Sequence, residues 1–599
     1  MKLCAELKKL GDFTTTSRVL PIAGLAMVIG LIGAYVALAL LRLIGFFTNL
    51  FYYQRIGSSL VSPAENHLGW WAVLVPVAGG LIIGLMARYG SERIRGHGIP
   101  EAIESILIGG SRVHPKLAIL KPLSAALSIG TGGPFGAEGP IIMTGGAFGS
   151  MIAQFFHLTS AERKTLLVAG AAAGMSATFA APLSAILLAV ELLLFEWKPR
   201  SLIPVALASA TACAARRYLI GLGPLFPTPA HSVFIGPGGL MGCVVCGLLA
   251  GALSALLTGA VYAAEDAFAK LPIHWMWWPA IGGLVIGLGG MIFPQALGVG
   301  YDTIATLLEG NGAIGLLLGI LLVKSTIWAV SLGSGTSGGV LAPLLMMGGA
   351  LGGLEALFLP AAGPGFWPLV SMGAILAGTM RSPFTGIVFA IELTHDVNMI
   401  LPLIVAAVIA HTFTVLVLKR SILTEKVARR GFHLSREYSV DPLEVLFASE
   451  VMRTQILAFE GSGTLDDALR MLKNGHPSRG QHLYPVIDAN HRLRGVITRK
   501  DLAKCSSDRA LLSDIARRDP VVAVADESLR TLVYRMAETG FTRMPVVDSG
   551  EERRILGMIS LDDMLSARAR NLSEERSRER VLHVRPPFRG ARKTAPVDE

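Results

Sequence analysis

GTGGPFGAEGPIIMTGGAFG, residues 130–149, and GSGTSGGVLAPLLMMGGALG, residues 333–352, are two copies of one segment. At an offset of 203 residues nine of the twenty positions are identical, among them Pro140 with Pro343, Met143 with Met346, and the two Gly-Gly-Ala triplets. The correspondence extends outward. Lys121 pairs with Lys324 at the same offset, and GHG at 96–98 pairs with GVG at 298–300. APLSAILLAVEL at 181–192 pairs with SPFTGIVFAIEL at 382–393, which sets Glu191 over Glu392. Matches in one order over about 100 residues define a duplicated unit and not a coincidence of glycine-rich composition. Duplicated membrane units with helices interrupted at matching positions mark transporter-like folds, whose substrate site lies near the bilayer midplane between the repeats. The repeat alone leaves open whether the halves run parallel or inverted.

That the unit lies in a membrane follows from composition. Of 599 residues 52% are hydrophobic and 16% charged, unlike a soluble chain. From about Val19 to Leu418, runs such as VLPIAGLAMVIGLIGAYVALALL and AIGLLLGILLVKSTIWAVSLG reach the roughly 20 residues of a bilayer-crossing helix. Others are shorter and broken by Gly or Pro, which predicts partial or tilted membrane segments. The first run is too long for a signal peptide and has no small-residue cleavage site, so it is expected to stay as a membrane helix. Lys2, Lys8, Lys9 and Arg18 precede it, and Lys419 and Arg420 follow the last run. By the positive-inside rule both ends are cytoplasmic. The net charge of +10 fits that orientation, and no basic helix with interleaved aromatics points to nucleic acid. The cysteines, Cys4, Cys213, Cys243, Cys246 and Cys505, suggest no disulfide framework. Cys243 and Cys246 form CVVC in an apolar helix with no His or acid expected nearby, which reads as small-residue packing and not as a metal or redox site.

After Leu418 the character changes. Residues 421–448 read as a linker, and the charged stretch beyond it repeats again: YPVIDANHRLRGVITRKDL at 484–502 lies over MPVVDSGEERRILGMISLDDM at 544–564. Each copy reads as strand, polar turn, strand and helix start, preceded by an amphipathic helix. The tail from 569 to 599 is rich in Arg, Glu and Pro and reads as disordered.

Three motifs carry chemistry in the membrane region: GHGIP at 96–100, GAEGP at 136–140 and GGVLAP at 338–343. Each is a glycine-bearing turn with Pro at the start of an apolar helical run. Pro suits a first helical turn, and glycine lets backbone approach a ligand closely. First-turn N–H groups have no partner inside the helix, and with the helix dipole they form a site for an anion. In a region expected to hold almost no buried positive charge, three such starts point to a dehydrated monovalent anion held by amides, over close helix packing alone. Glu138 is the one charged residue between Pro122 and Ala161. A charged acid in hydrocarbon costs roughly 2.5–3.5 kcal/mol and needs a partner or a purpose. Burial opposes its ionisation while a helix N-terminus supports it, so it can occupy the anion's place when charged and leave it when protonated. Such a group gates anions and carries a proton. The paired position is Leu341, so the repeat itself does not require an acid there.

These motifs resemble the three filter sequences of the CLC family of chloride channels and proton-coupled chloride antiporters, in order and spacing, and the tail resembles the paired CBS domains many CLC proteins carry. The resemblance implies an all-α polytopic membrane domain, residues 19–420, with inverted repeat halves at about 19–220 and 235–420 and about 18 helices, many not spanning. It implies α/β CBS domains at 449–506 and 511–568 after the linker, and a short cytoplasmic segment, 1–18, ahead of the membrane domain. It further implies a homodimer with a separate pore in each subunit, in a bacterial inner membrane. Carried over by position, Glu138 is the gating and proton-transfer glutamate. The amides of Val340 and Leu341 bind the central anion, and those around Ala137 and Gly139 the outer one. Lys121 matches a lysine near the pore, with a structural role as the alternative.

Four departures bear on mechanism. The family's central serine is His97, which either donates to the anion or faces the vestibule while the GHG backbone, Gly98 included, does the binding. The inner tyrosine falls at Leu423, so that hydroxyl is lost. The Arg before the gating glutamate is Ala137. The inner proton-transfer acid falls at Leu192; Glu191 and Glu392 read as structural pairing at helix ends. The resemblance therefore supports a voltage- or pH-gated transporter of chloride or a similar anion, with proton-coupled antiport ahead of a passive channel and a CBS-regulated cation transporter well behind. In the CBS copies, GVITRKD (495–501) and GMISLDD (557–563) are expected to place Thr498 and Ser560 near phosphate and Asp501 and Asp563 on the hydroxyls of an adenosine ribose, as in ATP, ADP or AMP. A purely structural CBS pair is the alternative. No metal cluster, Walker loop or nucleophile signals an enzyme.

Overall fold

A computed structural model describes residues 15–232, 235–432, 443, 446–473, 481–504, 510–550 and 553–576, with side chains described to residue 570. Most of the N-terminal segment, part of the linker, most of the tail, and Cys4 and Cys505 lie outside them. The chain divides into two compact units, the first ending at Gly431 and the second beginning at Phe432.

In the first unit, six described segments are long and apolar enough to cross a membrane: Val19–Tyr53, Gly69–Tyr89, Pro237–Ala269, Trp275–Ile292, Ile314–Gly333 and Val397–Arg429. Shorter apolar helices, Pro182–Leu194, Leu341–Glu355, Phe366–Met380 and Pro383–Thr394, fall below that length. The first apolar run forms one helix of 35 residues, about 50 Å at 1.5 Å per residue and so longer than a bilayer core. Its Leu20, Val28, Leu31 and Tyr35 are exposed, as lipid-facing side chains should be, while Ala26, Ile29, Ala34 and Ala37 are buried.

The direction of the repeat, open in the sequence, is settled by helices Leu74–Tyr89 and Trp278–Ile292. They are repeat mates, Pro76 with Pro279 and Gly80 with Gly283. A Cβ on Gly80 would lie 2.3 Å from the Pro279 carbonyl oxygen, and one on Gly283 would lie 2.3 Å from that of Pro76. One turn further, Gly84 meets Met276 and Gly287 meets Val73. Rising numbers on one helix meet falling numbers on its mate, so the two spans cross antiparallel and the halves are inverted about a pseudo-two-fold axis in the membrane plane. The glycines permit backbone-to-backbone contact, the usual source of helix association in lipid.

Glu191 and Glu392 obey the same axis. Glu392 accepts from the N–H groups of Leu183 (2.9 Å) and Ser184 (2.8 Å) and from the Ser184 hydroxyl (2.6 Å). Glu191 accepts from Phe384 (3.3 Å), Thr385 (2.8 Å) and the Thr385 hydroxyl (2.6 Å). Each acid caps the first turn of the other repeat's helix, which neutralises donors that have no partner in lipid. The helix-end role expected of both acids is the one observed.

Two sequence expectations are corrected. The membrane unit does hold buried cations: Lys121 and Lys324 are fully buried. Cys243 and Cys246 are free and buried in helix Pro237–Ala269, but Cys246 does have an acid beside it: it lies against the Glu355 carboxylate, which also accepts the Ser371 hydroxyl.

The second unit holds two three-stranded sheets of the same plan. Strands Leu483–Ile487 and Leu493–Thr498 pair antiparallel, as do Arg543–Val547 and Ile555–Ser560, with a register break at the same place in each. Short strands Phe459–Glu460 and Ala523–Val524, too brief to read from sequence, add in parallel. Val486 and Ile497 are buried in one sheet and Val546 and Ile559 in the other.

Candidate functional site

Four glycine-bearing loops, two from each repeat, end in the first turns of helices Ile99–Leu107, Glu138–Gln154, Tyr301–Leu308 and Leu341–Glu355. The loops before the second and fourth are joined by their own backbones. The Gly136 N–H donates to the Gly339 carbonyl (3.1 Å) and the Gly339 N–H to that of Gly136 (2.8 Å). Gly136 and Gly339 are repeat mates, so the pseudo-two-fold axis passes between them. The first loop packs against this pair. A Cβ on Gly139 would fall 1.7 Å from the His97 carbonyl oxygen and 3.4 Å from the Gly339 Cα.

Glu138, first residue of its helix and fully buried, lies across the axis. Its Oε1 accepts from the Ala342 N–H at 3.0 Å. Its Oε2 lies where Cβ atoms on Gly136 or Gly339 would fall, 1.8 and 2.6 Å away, and has no hydrogen-bond partner among the described residues. The carboxylate thus rests on the N-terminus of helix Leu341–Glu355, where an anion would be held by the same amide and dipole. Ala342 was not singled out from sequence. The signal was available: Pro343 has no N–H, so Leu341 and Ala342 carry the donors of that turn.

The other expected residues are placed as follows. Val340 and Leu341 form the buried turn under the carboxylate, and Ala137 precedes Glu138 at the start of its helix. His97 is buried, with Nδ1 lacking a partner among the described residues. Lys426, Lys121, Arg430 and Glu101 are near enough to it to interact electrostatically. The Gly98 N–H donates to Glu101 Oε2 at 2.9 Å, so it is not an open anion donor as expected. Glu101 Oε1 in turn pairs with Lys426 Nζ at 2.9 Å, tying the loop to helix Ile422–Arg429. Leu423 is buried in that helix, and Leu192 is buried in a one-turn π-helical segment, Ala189–Leu194, so neither position offers a polar group.

Lys121 is bonded to backbone carbonyls. Its ammonium donates to the carbonyls of Ile94 (2.8 Å) and Gly96 (2.7 Å). Lys324 donates to Ala296 (3.2 Å) and Gly298 (3.1 Å), the repeat mates of those residues. Each lysine clamps carbonyls that a Gly-x-Gly turn leaves without helical partners, and the recurrence in both halves argues for support of the loops over contact with an ion.

In the second unit, Thr498 donates its N–H and hydroxyl to Asp501 Oδ2 (3.0 and 2.6 Å), and Ser560 does the same to Asp563 (2.9 and 2.5 Å). The acids are further held by arginines, Asp501 by Arg517 (2.9 Å) and Asp563 by Arg453 (2.6 Å). Burial works against ionisation of Asp501, but the hydrogen bonds from Arg517 and Thr498 hold its carboxyl down to about 2. Guanidinium N–H groups thus occupy the acceptors that ribose hydroxyls would need.

An inverted repeat whose paired glycine loops present helix N-termini to a buried carboxylate defines a membrane protein of the anion-transport type. The voltage-gated chloride channel family matches residues 79–415, and the CBS domain matches 448–508 and 512–570. The chain belongs to that chloride channel family and carries paired CBS domains. A ClcB-like putative chloride channel protein of Ralstonia nicotianae is 31% identical over 391 residues, 63% of this chain and 91% of that one. The H(+)/Cl(-) exchange transporter ClcA of Klebsiella pneumoniae is 30% identical over 413 residues, 64% of this chain and 83% of its own. A slow cyanobacterial Cl-/H+ antiporter shares the fold at 23% identity and TM-score 0.61, covering 70% of this chain and 99% of that one.

Proposed function

We propose that this protein exchanges chloride for protons across a bacterial inner membrane, with Glu138 as both gate and proton carrier. The observation that carries the reading is the Glu138 carboxylate on the Ala342 amide. An ionised side chain there fills the anion's place and closes the path. A proton weakens its hold on the helix N-terminus and lets an anion replace it. Backbone amides suit chloride because they offer partial positive charge without a full counter-ion that would trap it. The relatives' exchange of protons and chloride supports coupling in this chain. The passive channel is the second reading, supported by apolar Leu192 and Leu423, which provide no inner acid or hydroxyl. Purified protein in tight vesicles, given a chloride gradient and a pH-sensitive dye, is expected to drive protons uphill. Chloride flux with no proton movement would replace antiport by the channel.

The same proposal has the protein as a homodimer with one path per subunit and both termini cytoplasmic, to be checked by the mass of the solubilised particle and by protease access in oriented vesicles. For the CBS pair it takes Arg453 and Arg517 as occupants of the acids that would bind a ribose. Adenine nucleotide must displace them, so Arg517→Ala and Arg453→Ala are expected to tighten ATP binding several-fold in titration calorimetry. Affinity unchanged by both would show that Asp501 and Asp563 are not ribose ligands.

A further inference from the structure

The GVG loop at 298–300, repeat mate of GHG, has no part in the site so far. It leads into Tyr301, the first residue of helix Tyr301–Leu308, at the position Ile99 holds in the other half. The Tyr301 hydroxyl is buried and has no hydrogen-bond partner among the described residues. Its ring meets Phe226 edge-on, centroids 5.9 Å apart. The preceding residue seats the loop on helix Leu341–Glu355, whose Ala342 amide holds the Glu138 carboxylate. A Cβ on Gly300 would fall 1.9 Å from the Met346 Cε, one turn beyond Ala342. A cavity of about 90 Å³ adjoins Tyr301, and its walls include Thr48, Ser62 and Asp302. It has room for water, with polar partners in its walls.

Two buried polar atoms therefore lack protein partners among the described residues, and both belong to loops seated on the start of helix Leu341–Glu355: the Tyr301 hydroxyl, next to the Gly300 seat on Met346, and Glu138 Oε2, whose other oxygen is on Ala342. A buried hydroxyl needs a partner, which water in the adjoining cavity can supply and which a protein group can supply by reaching it in another state of the molecule. The inversion axis puts GVG on the face opposite GHG and helix Ile422–Arg429, the outer face if that helix is cytoplasmic.

We infer that Tyr301 is the outer hydrogen-bond partner of Glu138, the group that receives the carboxylate when it leaves the Ala342 amide. The inference rests on the reading of Glu138 as the gate. The phenol keeps its own proton throughout. It donates to the ionised carboxylate and accepts from the protonated carboxyl, while water in the adjoining cavity gives or takes the transported proton. Tyr301 is a positioning residue, and it supplies on the outer side a hydroxyl that Leu423 does not supply on the inner one.

The test is Tyr301→Phe in vesicles with pH set independently on the two sides. The change removes one oxygen and leaves the Phe226 contact, so the fold should persist. Turnover is expected to slow several-fold, and its outer-pH midpoint to rise by on the order of half to one pH unit, because the ionised outer form loses a donor. The inner-pH profile should not move. Unchanged turnover and midpoint would overturn the inference, and so would slowing with both profiles unmoved, the mark of a purely structural residue. Glu138→Gln and the double variant separate this from the gate reading. If Glu138→Gln still couples protons, the gate reading fails. If it does not, Tyr301→Phe in that background should have no further effect on pH dependence, and an effect there overturns the Tyr301 assignment alone.

Discussion

Glu138→Gln is expected to carry chloride with no proton movement and with turnover flat across the pH range where the native protein varies. The side chains match in size, so the neutral amide can still accept from the Ala342 N–H at the position of Oε1. Its other end puts an NH₂ where Oε2 lies against Gly136 and Gly339. Two things are lost. The amide takes up no proton at any physiological pH, so the coupling carrier is gone. It also has no negative charge to set against that of chloride at the helix N-terminus, where a charged ligand gains about 0.3–1 kcal/mol or more over a neutral one. The anion therefore displaces Gln more readily than it displaces Glu. Proton-to-chloride coupling should fall to background while chloride flux is kept or raised, measured by a pH dye and a chloride electrode on the same vesicles. Proton transport at the native ratio would remove Glu138 from the mechanism. Loss of both fluxes in well-folded protein would make the carboxylate an anion ligand and not a gate.

Glu138 could be found from sequence because its isolation is a one-dimensional property: a single charge in a forty-residue apolar stretch needs a reason wherever the chain folds. The repeat was legible for the same cause. The direction of the repeat was not, since it is set by which residues touch, Gly80 with Pro279 and Gly283 with Pro76, and a list of identities is the same for parallel and inverted halves. The buried lysines show a subtler failure. Lys121 and Lys324 are visible as charges, but the carbonyls they serve, at 94, 96, 296 and 298, become free only because Gly-x-Gly turns break the helical pattern. Gly98 was misjudged because its N–H partner, Glu101, caps it from three residues ahead, a pairing that a search for ligand-binding amides overlooks. In the CBS unit the hydroxyl and the acid three residues on are bonded to each other in both copies, but Arg453 lies 110 residues from Asp563 in the chain, beyond any local pattern. Tyr301 was hidden in plain view, one residue past a motif already matched to its mate.

Gly139→Ala is expected to have the largest structural effect of any single methyl added to the pathway. The added carbon would lie 1.7 Å from the His97 carbonyl oxygen and 2.9 Å from its carbon. Real Cβ atoms do not approach within 3 Å of backbone, so one of the two loops must move by more than an ångström. Neither is free to do so. The GHG loop is held by the Lys121 clamp and by the Glu101 bond to the Gly98 N–H, and Gly98 itself sits at φ 91°, where a side chain would be strained. The GAEGP loop is held by two backbone hydrogen bonds between Gly136 and Gly339. Moving either breaks buried hydrogen bonds at about 1–3 kcal/mol for each group left unpaired, so two such losses, about 2–6 kcal/mol, lie at or beyond the top of the roughly 0.5–3 kcal/mol of an ordinary substitution. Gly24→Ala, in helix Val19–Tyr53 with nothing within 4 Å of the new carbon, adds the same methyl without a clash and should be neutral or slightly stabilising. The pair is compared by yield of monodisperse protein in detergent and by its thermal midpoint. Gly139→Ala should lose most of the first and lower the second well beyond Gly24→Ala. Equal behaviour of the two would mean that the loops around Glu138 are not rigidly paired, and the gate would then need a softer account, in which the glycine loops part to admit the anion and the carboxylate merely follows them.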